Sequence, residues 1–269
     1  MRRRGLGDVL HYFIPEEEQE ESRARARGDG ERQTEHTPGT RWCIPVTPQR
    51  PLGCALALDL AAALAHSCAA RVRVLAPFGS HALPLRVPPA VEWTELALPG
   101  RHDAAREAER GALLQTVLEA AREKSNLFLV VPPENLAGTL AQLAPGSLEG
   151  LLVPIEATSA GPAQALGLLR SLPDPLPVHR LASVIVGAHE PRRAREIFAR
   201  LRAAAQRQLR LEIEDLGALV RDSASFRALL EGVPVLEIDE HARSALSLLS
   251  VAEQLTTLPP RAEPSIASR

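Results

Sequence analysis

The residues able to do chemistry are scattered singly along this chain, and their spacing assembles no reaction centre. Asp239, Glu240 and His241 are adjacent, but consecutive residues at a helix start point in different directions. Acids there complement the positive end of the helix dipole, so capping is the expected role. His189-Glu190 lacks the second histidine that a zinc-binding HExxH helix requires. No G-x-S-x-G elbow occurs. Cys43, Cys54 and Cys68 are odd in number and lack metal-ligand spacing. Cys54 as a nucleophile would need a neighbouring histidine or a lowered pKa, and a buried structural thiol is the expectation. No catalytic residue and no metal site are therefore expected.

Two surfaces remain. Residues Pro191–Gln208 place Ala194, Ile197, Phe198, Leu201 and Ala205 on one helical face. Arg192, Arg193, Arg195, Arg200, Arg202 and Arg207 fall on the other, and Glu190 and Glu196 barely offset them. Such a stripe can hold DNA phosphates without sequence preference, or serve simply as a solvated helix face. At the other end, Leu6, Val9, Leu10, Phe13 and Ile14 recur at helical spacing beside Arg4, and Pro15 ends the run. An apolar stripe of this length is either a docking peptide for a protein partner or a helix that folds back on its own domain.

The elements that must position these groups follow from patterning. Residues 15–40 open with a glutamate run and hold almost nothing apolar, which predicts a disordered linker because such a stretch cannot offset its ordering entropy. From residue 41 to 256 strands alternate with helices, favouring a largely parallel sheet in a three-layer α/β domain. Strands are expected at Trp42–Val46, Val72–Ala76, Leu127–Val131, Leu151–Ile155, Leu181–Val186 and Leu209–Ile213. Helices are expected at Leu52–Cys68, Asp103–Lys124, Ser159–Leu172, Pro191–Gln208, Ser223–Leu230 and Ala242–Leu255. Phe78–Gly100, interrupted by prolines, reads as irregular, and residues 257–269 as a flexible tail.

Composition narrows the class further. Hydrophobic residues make up 45% of 269, enough for a sizeable core, while aromatics at 3% make that core aliphatic. A net charge of −2 gives no global argument for a polyanionic partner. Few cysteines suit a reducing compartment. The basic N-terminus lacks the apolar run of a signal peptide, and no apolar stretch reaches the roughly 18 residues of a membrane span. A cytoplasmic protein without a membrane span is the expectation.

The segment Leu216–Leu255 resembles the end of ParA/MinD-family P-loop ATPases, especially FlhG and its relatives. There a strand ends in "lG-x-v/i-p-x-D", a helix follows, and "g-x-P-v" leads into a last helix. Leu216-Gly217, Asp222, Gly232, Pro234 and Val235 stand at matching places. Leu151–Leu172 is similar to the family's "v-v-p-x-e" strand and helix, Asn126–Asn135 to the strand carrying "D-x-p-p", and Thr47–Ala65 to the phosphate loop and first helix. The N-terminal MRRRGLGDVLHYFI also resembles the ParB peptide "R-G-L-G-x-G-L-x-x-L" that engages ParA. Arg4-Gly5-Leu6-Gly7 and Leu10 match, whereas Asp8 and Val9 depart from it.

The resemblance implies a nucleotide site, and the residues depart from it. The family loop reads K-G-G-x-G-K-T-S/T, followed by three residues and N-L-A. Its glycines let backbone N–H groups close around phosphates, its lysine reaches the outer phosphates, and its hydroxyl holds Mg²⁺. Setting Asp59-Leu60-Ala61 on N-L-A puts Gly53 at the lysine and Cys54 at the hydroxyl, with Gln49, Arg50 and Leu52 replacing the glycines. Pro51 adds a residue with no N–H to donate. Arg50 is the loop's one cation, and a planar guanidinium substitutes poorly for a compact ammonium. The second strand ends in Ala76-Pro77-Phe78 without a carboxylate, and Val131 leads into Pro132-Pro133 where an aspartate would organise Mg²⁺. Gly187-Ala188 replaces the asparagine that often contacts adenine.

The expectation is a non-hydrolysing ParA/MinD-like scaffold or regulator with no cofactor. It would bind a protein partner, either a true NTPase or a second copy, in intracellular positioning or partitioning. The alternatives are a working ATPase with a divergent loop around Arg50, Gly53 and Cys54 using ATP and Mg²⁺, and a DNA-associated protein acting through the arginine helix.

Overall fold

The computed structural model describes residues 39–46, 51–77, 86–96 and 126–257. The expected N-terminal peptide with Arg4, Leu6, Val9, Leu10, Phe13 and Ile14 lies outside them. So do most of the expected linker, the helix at residues 103–124, Arg50, and the tail beyond residue 257.

Seven strands form one parallel sheet: β1 (Arg41–Pro45), β2 (Val72–Pro77), β3 (Val91–Leu96), β4 (Asn126–Val131), β5 (Leu148–Glu156), β6 (Val178–Val186) and β7 (Glu214–Leu219). Their order is β3-β2-β4-β1-β5-β6-β7. Helices cover both faces: α1 (Pro51–Cys68), α2 (Pro133–Ala141), α3 (Gly161–Arg170), α4 (Pro191–Leu209), α5 (Ser223–Glu231), α6 (Val235–Ile238) and α7 (Arg243–Thr257).

Period-two geometry divides every strand except β3 between two cores. In β4, Phe128 and Val130 join the core under α1, α5, α6 and α7, while Leu127, Leu129 and Val131 join the one under α2, α3 and α4. All six residues of β4 are buried, which is why this strand reads as a continuous apolar run.

The base of the sheet, at the strands' N-terminal ends, is fastened by one cross-strand row. Trp42 is in register with Gly150, and Gly150 with Arg180. A Cβ on Gly150 would lie 2.3 Å from the Trp42 ring, so only glycine admits the indole there. The Arg180 guanidinium stacks 4.9 Å from the Trp42 ring centroid. It also bonds Glu149 at 3.0 Å and Glu214 at 2.6 Å, with its own side chain 1% exposed. Buried charge is tolerated only when paired in this way.

Two sequence expectations change. Phe78–Gly100 is not irregular throughout, because Val91–Leu96 pairs with β2 as the sheet edge. Its alternation of Glu92 and Thr94 with Val91 and Trp93 suits an edge rather than a buried run. Leu209–Ile213 is not a strand. Arg210 takes a left-handed φ of 56° and ends α4, and pairing with β6 begins only at Glu214. The short helices α2 and α6 were not anticipated.

Candidate functional site at the sheet crest

The chain leaves β1 toward β2 on one side and leaves β5 toward β6 on the other. Adjacent strands whose connections part in this way open a crevice at their C-terminal ends, the usual ligand position in an open α/β sheet. A cleft of about 340 Å³ lies there, lined by Pro45, Val46, Pro133, Glu156, Gln164 and Arg221 among others.

Each wall follows from local sequence. Val46 continues β1 by donating its N–H to the Val131 carbonyl, and β4 ends at that point because Pro132 has no N–H to extend the ladder. Pro133 then starts α2, so the end of β4 runs through Pro132 into Pro133, which lines the cleft. Gly161 opens α3 so close to β5 that a Cβ there would fall 2.1 Å from the Glu156 carbonyl oxygen. Its N–H bonds the Thr158 hydroxyl at 3.1 Å, which holds the helix start beside the cleft. Glu156 is the carboxylate of this crevice.

The Arg221 side chain lies across Gly187. A Cβ on Gly187 would stand 3.1–3.3 Å from its Nε, Cζ and Cδ, and the φ of 81° at Gly187 favours glycine independently. The guanidinium thus covers the turn after β6 that Gly187-Ala188 forms.

A second cavity of about 170 Å³ adjoins the first, sharing Leu56, Val186 and Arg221. Its walls include Leu219, Val233, Val235 and Leu248, with Asp59 of α1 among them. Asp59 Oδ1 accepts the Val235 N–H at 2.8 Å, tying the Gly232-Val233-Pro234 turn to α1. Its other oxygen has no partner among the described residues. Burial raises its pKa to about 7, against a smaller opposing effect from the Val235 N–H. Beside it Asp222 caps α5: Oδ1 accepts the Ser225 N–H at 2.9 Å and the Ser244 hydroxyl at 2.7 Å, and Oδ2 accepts the Ser244 N–H at 2.9 Å. Partial burial opposes the shift, but these hydrogen bonds together hold the Asp222 carboxyl below its ordinary pKa.

Of the sequence-derived positions, Gly53 and Cys54 fall within the first turn of α1, not in a loop. The six arginines of α4 are all exposed on its outer face. Arg192 pairs with Glu196 at 3.1 Å and Arg207 bonds the Ala203 carbonyl at 3.1 Å. Arg170 at the end of α3 reaches Gln208. Asp239 accepts the His241 N–H at 3.0 Å ahead of α7, and Glu240 lies 3.6 Å from the His241 ring. Cys43 is buried and its thiol pKa is pushed up by desolvation. Among the described residues no group of three or more His, Cys, Asp or Glu could hold a metal, and no helix is long and apolar enough to cross a membrane. Glu156, Asp59 and Arg221 were missed as site residues. The signal for Asp59 was present: it is the single acid in the Ala/Leu-rich stretch that becomes α1.

No family model and no curated protein matches this sequence. Solved structures do match in fold. The cell-division protein MinD of Aquifex aeolicus aligns with a TM-score of 0.53 and 12% identity, over 83% of this chain and 100% of that one. A MinC:MinD complex from the same organism gives 0.53 and 10%, over 82% and 98%. A ParA family ATPase from Chlorobium tepidum gives 0.50 and 13%, over 80% and 98%. The chain therefore has the ParA/MinD fold, a seven-stranded parallel sheet with helices on both faces.

Proposed function

We propose that this chain, built on the ParA/MinD fold, is a non-hydrolysing regulator or scaffold that binds partner proteins in intracellular positioning or partitioning. The observation that carries the reading is the chemistry of the crest. Phosphoryl transfer is catalysed almost entirely by positioning and by positive charge around the phosphates. Here the end of β4 offers Pro132 and Pro133 instead of a carboxylate, and Arg221 lies over the turn that would face an adenine. The sequence around the start of α1 supplies Arg50, Gly53 and Cys54 in place of the lysine and hydroxyl. A loop whose sequence departs this far from a phosphate-binding set supports a function carried by the fold's surfaces. A fold relative in complex with MinC supports a protein partner as the ligand class.

Titration calorimetry of the full-length protein with ATP and Mg²⁺ tests the reading. No heat of binding is expected at micromolar ligand, and micromolar affinity would overturn it in favour of a divergent ATPase. A second reading is favoured by one specific observation: all six arginines of α4 project from the same exposed helix. On this reading the chain also associates non-specifically with DNA.

A further inference from the structure

We propose that the smaller cavity binds a small organic ammonium ion, its single-ring or branched-alkyl body filling the apolar slot and its charged nitrogen pairing with the free oxygen of Asp59. Size comes first. At about 170 Å³ the space is close to the roughly 150 Å³ of an engineered cavity that takes benzene, so it holds one ring and little more. Leu56, Val186, Leu219, Val233 and Leu248 make the slot apolar, and an apolar body gains by entering it.

The polar inventory then selects the head group. Ser225 and Ser244 line the slot, but both hydroxyls are committed to Asp222. Arg221 stands at the junction with the larger cleft, stacked on Gly187. Among the described residues that line the slot, Asp59 is the carboxylate with an oxygen left over. The structural duty of this residue, accepting the Val235 N–H, needs only one neutral oxygen, which asparagine would supply equally well. The carboxyl here is therefore charge beyond what the turn requires. A buried carboxylate is costly unless paired, and an incoming ammonium supplies the pair.

The pairing also sets a pH dependence. Among the described residues, the charged groups that line the slot with Asp59 are few. Arg221 comes from the loop after β7, α5 and α7 contribute serines with Asp222 behind them, and α6 contributes backbone. Burial holds Asp59 protonated until about pH 7. An ammonium must displace that proton, so affinity rises with pH through about 7 and levels off above it.

Benzylamine titrated calorimetrically into the full-length protein at pH 6 and pH 8 is the test, with benzyl alcohol as its neutral isostere. Asp59→Asn keeps the bond to Val235, and Ala55→Phe fills the slot from α1. The expected result is benzylamine binding at pH 8 that weakens at pH 6. It should exceed benzyl alcohol by about tenfold or more, the scale of one charge-assisted bond. It should fall by about as much in Asp59→Asn and be absent in Ala55→Phe. Absence of binding to the wild type, or equal binding of amine and alcohol that Asp59→Asn leaves unchanged, overturns the proposal. The response to Asp59→Asn distinguishes this outcome from the ATP titration, which tests the larger cleft.

Discussion

Asp59 fixes the link between the crest and the closing helices, and its carboxyl does so at a cost that depends on pH. Its folded pKa of about 7 stands above the ordinary 3.8. A raised carboxyl pKa favours the folded state fully below the unfolded value, and that contribution is lost as pH rises through the folded one. Wild-type stability should therefore decline between about pH 4 and 7 relative to Asp59→Asn, which cannot ionise. At about 1.36 kcal/mol per pKa unit the full span would be about 4 kcal/mol, and the half-buried position of Asp59 reduces it to about 2. Urea denaturation of both proteins at pH 5 and pH 8 measures this, and a difference that is the same at both pH values contradicts it. At this scale sequence was a partial guide. Asp59 was legible as an alignment anchor, but its free oxygen depends on Val235, 176 residues away, which no local pattern encodes. Gly150 was equally opaque, since its need for glycine comes from the Trp42 ring on the neighbouring strand.

At the scale of elements, what read correctly was what packing makes repetitive. β4 and α4 are long enough to show a continuous apolar run and an apolar stripe, and both formed where expected. β3 was missed because an edge strand buries too little to give a run, and α2 because a proline pair precedes only nine helical residues. Leu209–Ile213 misled because apolar alternation continues past the left-handed Arg210 that turns the chain. The outer face of α4 carries a prediction of its own. Arg193 and Arg200 lie two turns apart on one stripe, about 10 Å along the axis at 1.5 Å per residue. If α4 holds duplex phosphates, changing both to Ala should weaken binding for every sequence alike. It should also reduce the slope of log affinity against log salt by about 2, at roughly 0.9 per released counterion. Fluorescence anisotropy across a salt series reads both quantities. An unchanged slope would leave the stripe as a solvated helix face.

Across the whole molecule, the buried charge network and the two cavities lie at opposite ends of the same sheet. The base carries the Trp42–Gly150–Arg180 row, with the buried guanidinium stacked on Trp42 and paired with Glu149 and Glu214. The crest carries prolines, two joined cavities and the exposed Arg221. Removing one member of a buried charge network strands the others, whereas an exposed cation contributes little to stability. Arg180→Met should therefore cost about 3 kcal/mol, the lower end of the buried range, because Glu149 and Glu214 keep 24% and 34% exposure and can be partly rehydrated. Arg221→Ala should stay within about 0.5 kcal/mol of wild type while altering whatever binds at the crest. Guanidinium unfolding of the two variants compares them directly. Equal losses would mean that the crest, and not the base alone, holds the sheet together. A large loss only in Arg180→Met would leave the crest free to diverge, as a fold does when its strands are secured elsewhere and its ligand site can change without unfolding it.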